Sequence, residues 1–296
     1  MVNTNRWKSW VPYYFLAPAL ILLLAFRIIP LIGGVFESLF SVSFTSPNGK
    51  DFVGLSNYLK LFKDPTFWKS FQALAKFNLI VNPLQIIAAL GMALLLNQRL
   101  KGIRIFRSIT LIPLAISIGV ASVLWGLMLD ANGLINGMLS AIGIAPQPFL
   151  SDTGQALWSI VVLASWLGVP YWGLFFLAGL QGISQEVIEA ALVDGAKGIR
   201  LFWYITLPLL RRVITFVLVS DTIANFLLFV PVYVLTRGGP QLATNFVMYE
   251  AYRRGLIFGD LGGSSAIVVV ILLFLGIVVA AEFYFLRERR PKEMSK

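Results

Sequence analysis

Residues 13–36 read YYFLAPALILLLAFRIIPLIGGVF, with Arg27 as the single charge. The hydrocarbon core of a bilayer is about 30 Å thick, and a helix crosses it in roughly 20 residues. Lipid offers the backbone no hydrogen-bond partner, so a stretch of this length reads as helix. A secretory signal peptide has a shorter apolar core, roughly 7–15 residues, followed by a small-residue cleavage site. Here the apolar run follows Arg6 and Lys8 and continues to Phe36 without such a site. It is expected to be an uncleaved first span.

The same reasoning gives five more spans, at 71–96, 106–129, 157–180, 213–235 and 264–286. The fold class is all-α, a six-span transmembrane bundle forming one domain over residues 1–296. Pro18, Pro30, Pro83, Pro113 and Pro170 fall inside spans, where kinked helices tolerate them. Composition agrees: 58% of the chain is hydrophobic and 13% charged, against roughly 45–50% and 25% for a soluble domain. Cys and His are absent, which excludes disulfides, thiol catalysis, the usual zinc sites and the commonest general base. The chain also lacks a Gly-x-x-x-x-Gly-Lys-Ser/Thr loop, so it does not bind ATP in the P-loop manner.

The net charge of +10 reads as membrane topology, since no nucleic-acid motif accompanies it. One side of the bundle holds Arg6, Lys8, Arg99, Lys101, Arg104, Arg107, Lys197, Arg200, Arg211 and Arg212, with the tail cations Arg287, Arg289, Arg290, Lys292 and Lys296. The other holds Lys50, Lys60, Lys63, Lys69, Arg237, Arg253 and Arg254. The richer side is expected to be cytoplasmic, with both termini inside. Trp7, Trp10, Tyr13 and Tyr14 form an interfacial aromatic belt. The external segments 37–70 and 129–156 carry turn signals and are expected to form short amphipathic helices near the membrane surface.

The cytoplasmic loop 181–212 is the most informative segment. Ser184 is placed to cap a short helix over 185–193, with Glu186 in the first turn where the dipole favours an anion. Gly195 supplies the stop, because it adopts the left-handed conformation without a Cβ clash. Ala190 and Ala191 give this helix a shallow profile that another protein could approach. A second helix over 199–205 puts Ile199, Phe202 and Trp203 on one face, and Pro208 opens the fifth span. From physics alone the pair reads as interfacial helices folded against the membrane.

The string Glu189-Ala-Ala-Leu-Val-Asp-Gly195-Ala196, followed by Ile205-Thr-Leu-Pro208, resembles the EAA loop of binding-protein-dependent ABC importer permeases. Gly54-Leu-Ser-Asn-Tyr58, Asp64-Pro-Thr-Phe-Trp68, Pro83-Leu-Gln85, Leu94-Leu-Leu-Asn97, Phe106-Arg107 with Pro113, and Tyr233-Val-Leu-Thr236 before Gly238-Gly-Pro240 resemble the carbohydrate-uptake type. The last of these is similar to the first of two paired permeases, the maltose-permease-F-like subunit. The resemblance implies a type I importer permease that carries a sugar or oligosaccharide by alternating access. It implies as partners a second permease, a cytoplasmic ATPase dimer that binds the ATP and magnesium, and an extracytoplasmic solute-binding protein. This chain would bind no cofactor or metal. The resemblance assigns ATPase coupling to Glu186, Glu189, Ala190, Ala191, Asp194, Gly195, Ala196 and Phe202. Residues 72–82 depart from the family pattern, with Gln72-Ala73 where an Asn is common, and Arg237 replaces a common Gly.

Ionisable groups inside a span cost about 2.5–3.5 kcal/mol each and mark function by default. Arg27, Lys76 and Asp221 qualify, and an Asp221 ion pair with Lys76 or Arg27 is one expected arrangement. Asn78, Asn82, Gln85, Asp221 and Asn225 are candidates for the substrate pathway, with Tyr171 and Trp172 as stacking surfaces; Asp221 and Asn225 share a face at i, i+4. Structural hydrogen bonding between helices is the alternative for each. Lys76 and Arg27 would permit an anionic sugar. A secondary transporter of a small polar solute is the rival function, though no internal repeat or midplane acidic cluster supports it. A membrane enzyme is a further rival, without a reactive cluster to support it.

Overall fold

A computed structural model describes residues 5–42, 50–98 and 101–286, with side chains of residues 5–10 left aside. The side chains of Arg6, Trp7, Lys8 and Trp10, with Arg99 and the tail cations from Arg287 onward, lie outside the described residues. The chain divides into two units, Met1–Asp64 with Ala251–Ile271, and Pro65–Glu250 with Leu272–Lys296.

In the first unit, α1 (Asn5–Leu23), one π turn (Leu24–Ile28) and α2 (Ile29–Glu37) form a continuous helical run. Pro30 falls in the first turn of α2, where its missing N–H is least costly. The strongest apolar window of Val11–Glu37 has no buried residue. The segment 37–70, expected to form short amphipathic helices, also contains a strand pair. β1 (Phe40–Ser41) pairs antiparallel with β2 (Asp51–Phe52), placing Phe40 opposite Phe52. α3 (Ser56–Lys63) follows, and its Asn57 donates to the carbonyls of Ser38 at 2.8 Å and Phe40 at 2.9 Å. Asp64 pairs with Arg254. Burial lowers the Arg254 pKa from its usual value, and Asp260 acts in the opposite sense. The Leu261 amide donates to the Val42 carbonyl at 2.9 Å, which brings Gly262 so close to Phe40 that a Cβ there would lie 2.2 Å from its carbonyl oxygen.

The second unit begins with α4 (Pro65–Leu96), one unbroken helix of 32 residues that contains Pro83 and starts six residues ahead of the expected span. The third span was expected to be continuous over 106–129 and is not. α5 (Ile103–Leu111) passes into a 3-10 turn at Ile112–Ala115, the chain extends at Ile116, and α6 (Ile118–Leu129) starts afresh. Pro113 disrupts the first helix, and Ser117 caps the second by accepting from the Val120 amide at 3.4 Å. At 1.5 Å per residue, α6 alone covers about 18 Å, too little to cross. α7 (Leu134–Ala141) is a short helix that follows it, and Ile118–Ala141 together are long and apolar enough to cross a membrane. α8 (Ala156–Gln181) runs unbroken through Pro170.

The loop 181–212 forms α9 (Gln185–Val193), α10 (Gly198–Leu201), a π turn (Phe202–Thr206) and α11 (Leu207–Leu209). Pro208 therefore lies before the fifth span and does not open it. α12 (Arg211–Phe226) follows a 69° bend at Leu210. Expected to continue to Leu235, the fifth span stops as α-helix at Phe226. A π turn (Val232–Thr236) and a loop with a cis Gly239–Pro240 bond follow. α13 (Val247–Tyr252) and α14 (Leu261–Leu286) complete the described chain.

α4, α8 and α12 pack around Ala89, Ala93, Trp172, Phe176, Leu177, Leu180, Leu210 and Val217. Apolar surface alone gives little attraction between helices in lipid, so association needs close approach at small residues. A Cβ at Gly173 would lie 2.1 Å from the Met92 methyl, and one at Gly179 would lie 2.8 Å from Val213. Backbone contacts are less forgiving than a mobile methyl. Gly262→Ala, facing the Phe40 carbonyl, is expected to destabilise by about 2 kcal/mol, within the range for overpacking. Gly276→Ala, with nothing within 4 Å, should leave the melting temperature of the purified protein unchanged, while Gly262→Ala lowers it by several degrees.

Candidate functional site

Four helices bring polar residues of the second unit to one place. On α12, Asp221, Thr222 and Asn225 are 1%, 1% and 4% exposed. Trp172 of α8 donates its indole N–H to Asp221 Oδ1 at 2.6 Å. The Asn225 amide reaches Asp221 Oδ1 at 3.0 Å, Asn82 Oδ1 at 2.9 Å and Gln85 Oε1 at 3.3 Å. Asn82 in turn donates to Thr222 Oγ1 at 3.1 Å, and Thr222 donates to Glu282 Oε1 at 2.8 Å. The i, i+4 spacing of Asp221 and Asn225 places both on the inner face of α12, and Gln85 lies where a Cβ on Gly168 would approach its Nε2 to 2.7 Å. Gly168 thus leaves room for the Gln85 amide beside α8.

A cavity of about 430 Å³ opens beside this network, lined by Gln85, Tyr171, Trp172, Asp221 and Asn225, with Gly168, Ala164, Leu167, Ala224, Leu228 and the broken segment Pro113, Leu114, Ile116 and Ile118. Its volume falls within the roughly 300–1,000 Å³ of small-molecule sites. Tyr171 stacks edge-on against Trp172 with ring centroids 4.7 Å apart. Non-helical backbone at membrane depth is tolerated where it lines such a cavity, and both helix breaks of this unit, at Pro113 and after Phe226, contribute to the lining.

Of the seven expected pathway residues, five line the cavity. Asn82 joins them one hydrogen bond behind, and Asn78 stands apart, bonding back to the Leu74 carbonyl of its own helix at 2.9 Å. Among the described residues Asp221 forms no ion pair with Lys76, which is exposed, and its partners are an indole and an amide; Arg27, the other expected partner, is exposed and belongs to the first unit. Glu282 is a member that sequence reasoning missed. Its signal was available, as the only acidic residue within the apolar span 264–286.

The loop 181–212 carries a second candidate site. Helix α9 ends in a Schellman motif. Gly195, at φ +82°, donates to the Leu192 carbonyl at 3.1 Å, and Ala196 donates to the Ala191 carbonyl at 2.9 Å. Ser184 makes no side-chain cap, contrary to expectation. Glu186, Glu189, Ala190, Asp194 and Gly195 are exposed, Ala191 is buried, and Ala196 and Phe202 are half-buried. Val193 at 88%, Ile199 at 77% and Tyr204 at 74% exposure leave an apolar surface of the kind that marks a protein or membrane contact. Nothing lies within 4 Å of a Cβ at Gly195, so its requirement for glycine comes from backbone conformation alone.

Residues 85–292 match the family described as "Binding-protein-dependent transport system inner membrane component". The trehalose/maltose transport system permease protein MalF of Thermococcus litoralis is 38% identical over 86% of this chain and 86% of its own. The sn-glycerol-3-phosphate transport system permease protein UgpA of Brucella suis is 34% identical over 94% of this chain and 95% of its own. Among solved structures, a chain of a bacterial alginate ABC transporter, in complex with an alginate pentasaccharide-bound periplasmic protein, superposes with a TM-score of 0.84. It is 20% identical and covers 97% of both chains, a likeness of fold.

Removing a donor from a buried carboxylate costs about 1.5–3 kcal/mol. Trp172→Phe is therefore expected to destabilise the purified protein by about 2 kcal/mol in thermal unfolding. Asn78→Leu, which removes a side chain whose Oδ1 has no partner, should be neutral or mildly stabilising.

Proposed function

We infer the role of this chain from the family to which it belongs, the inner membrane components of binding-protein-dependent transport systems. It is a transmembrane permease subunit of an ABC importer, and the solute it carries is a sugar or oligosaccharide. It resides in a bacterial or archaeal cytoplasmic membrane as a multi-pass protein with both termini in the cytoplasm, the side richer in Lys and Arg. A second permease completes the pathway, a separate ATPase dimer binds ATP and magnesium, and an extracytoplasmic binding protein delivers the solute. The periplasmic protein bound to the alginate transporter supports this last assignment.

The observation that carries the function is α9, a short exposed helix on the cytoplasmic loop with a glycine-locked end and an uncovered apolar flank. It is the coupling helix, seated on the ATPase through Glu186, Glu189, Ala190, Ala191, Asp194, Gly195, Ala196 and Phe202. ATP-driven closure of the ATPase dimer moves this helix, and the cavity alternates between the two sides. Support for a sugar comes from the cavity, where amides lie beside aromatic faces: hydroxyls bond to the amides and sugar rings stack on Tyr171 and Trp172. The name of the Thermococcus relative points the same way.

The test is uptake of labelled trehalose or maltose into proteoliposomes holding the complete transporter and its binding protein. Uptake should require ATP, and uptake without ATP or ATPase would identify a secondary transporter instead. A left-handed position costs about 1–2 kcal/mol for residues other than Gly, with Asn the least affected. Substrate-stimulated ATPase activity should therefore fall in the order Gly195, Asn, Ala, Val, in complexes that still assemble. Equal activity across the series would remove Gly195 from the coupling role.

A further inference from the structure

The cavity also carries information about the charge of its solute. Asp221 is 1% exposed and lines the cavity. Its Oδ1 takes both donors, from Trp172 and Asn225, while Oδ2 has no partner among the described residues. Among the described residues no lysine or arginine lines the cavity, and the further ionisable member of the network is another acid, Glu282, held through Thr222. A buried acceptor left unpaired is costly, and a bound donor would relieve it. Ile118, the first residue of α6, also lines the cavity. An unpaired acceptor suits a hydroxyl, which can donate to it. An anion would meet a carboxylate, with no lysine or arginine among the lining residues to balance it.

We propose that Asp221 Oδ2 is a substrate acceptor that makes this chain's half of the pathway selective for neutral polyhydroxy solutes over phosphorylated or carboxylated ones. This rests on the sugar-permease assignment and divides its relatives by chemistry, since one of them is named for a phosphate ester. Asp221→Asn is the informative change: Asn Oδ1 still accepts from Trp172, and its amide replaces the free acceptor with a donor.

The complete transporter, purified in nanodiscs without its binding protein, would be loaded with labelled trehalose and competed with trehalose or trehalose 6-phosphate. The wild-type complex should prefer the neutral sugar at least tenfold, and Asp221→Asn should reduce that preference at least fivefold. Equal competition by the phosphate in the wild type overturns the proposal even if the variant fails to assemble. So does a preference unchanged in an assembled Asp221→Asn complex. If neither sugar binds the wild type while ATP-dependent uptake of another class of solute is measured, the sugar assignment fails and this inference with it. Neutral-sugar binding with no preference overturns this inference alone.

Discussion

Every backbone N–H and C=O that enters hydrocarbon must find its partner inside the protein. That constraint makes the long elements helical, and it also decides where they are allowed to stop. α5 gives way to α6 over residues 112–117, and α12 ends at Phe226 with the chain still apolar. Each break leaves amides and carbonyls that lipid cannot satisfy. Some are recovered locally, as when Ile116 donates to Pro113 at 3.2 Å and Leu228 to Asn225 at 3.3 Å. The rest are sheltered because Pro113, Leu114, Ile116 and Leu228 all line one cavity. The helix breaks and the cavity are therefore a single feature, and the bundle opens at the places where its helices fail.

The same constraint acts on side chains. A carboxylate in a span costs about 2.5–3.5 kcal/mol by insertion measurements, and an ion pair is the obvious remedy. The protein uses another. Trp172 and Asn225 both donate to Asp221 Oδ1, charge-assisted bonds that offset much of that cost. The amides of Asn225 and Asn82 then extend the network to Thr222 and Glu282. Bonding through neutral donors leaves Lys76 outside the network, and among the described residues the cavity has no lysine or arginine in its lining. The polar groups hold α4, α8, α12 and the end of α14 together while still facing an open volume, so a structural role for these residues does not compete with the pathway role proposed for them.

The long helices were legible because length and apolarity suffice to specify them. Their interruptions were legible only in part. Pro83 and Pro170 stand inside unbroken helices, yet Pro113 ends one. The local difference is Ser117, four residues on, which caps a new helix, whereas Leu84-Gln85-Ile86-Ile87 and Tyr171-Trp172-Gly173 offer no capping side chain. The end of α12 had a weaker signal, since Leu227-Leu228-Phe229-Val230 continues the apolar run and only Pro231 marks the stop. In the network, the Asp221–Asn225 pair followed from helical spacing. The Trp172 bond did not, because a tryptophan among apolar residues was read for its ring and not for its N–H. Glu282 bonds Thr222 from sixty positions away, and no local pattern specifies such a partner.

The two sites share one mechanical path. The Schellman end of α9 fixes the direction in which the chain leaves at Gly195, and residues 198–209 then run helically into the 69° bend that begins α12. Leu210, at the bend, is 1% exposed and belongs to the same buried cluster as Phe176, Leu177 and Val217. A bend packed this closely acts as an elbow and not as a swivel, because interiors at this density transmit displacement. Asp221 lies eleven residues beyond Leu210, about 16 Å along the helix. Covalent helix and packed side chains thus join α9 to Asp221 and Asn225. The residues that face the cavity and the exposed loop belong to one continuous stretch of chain, so the coupling proposed above needs no additional relay.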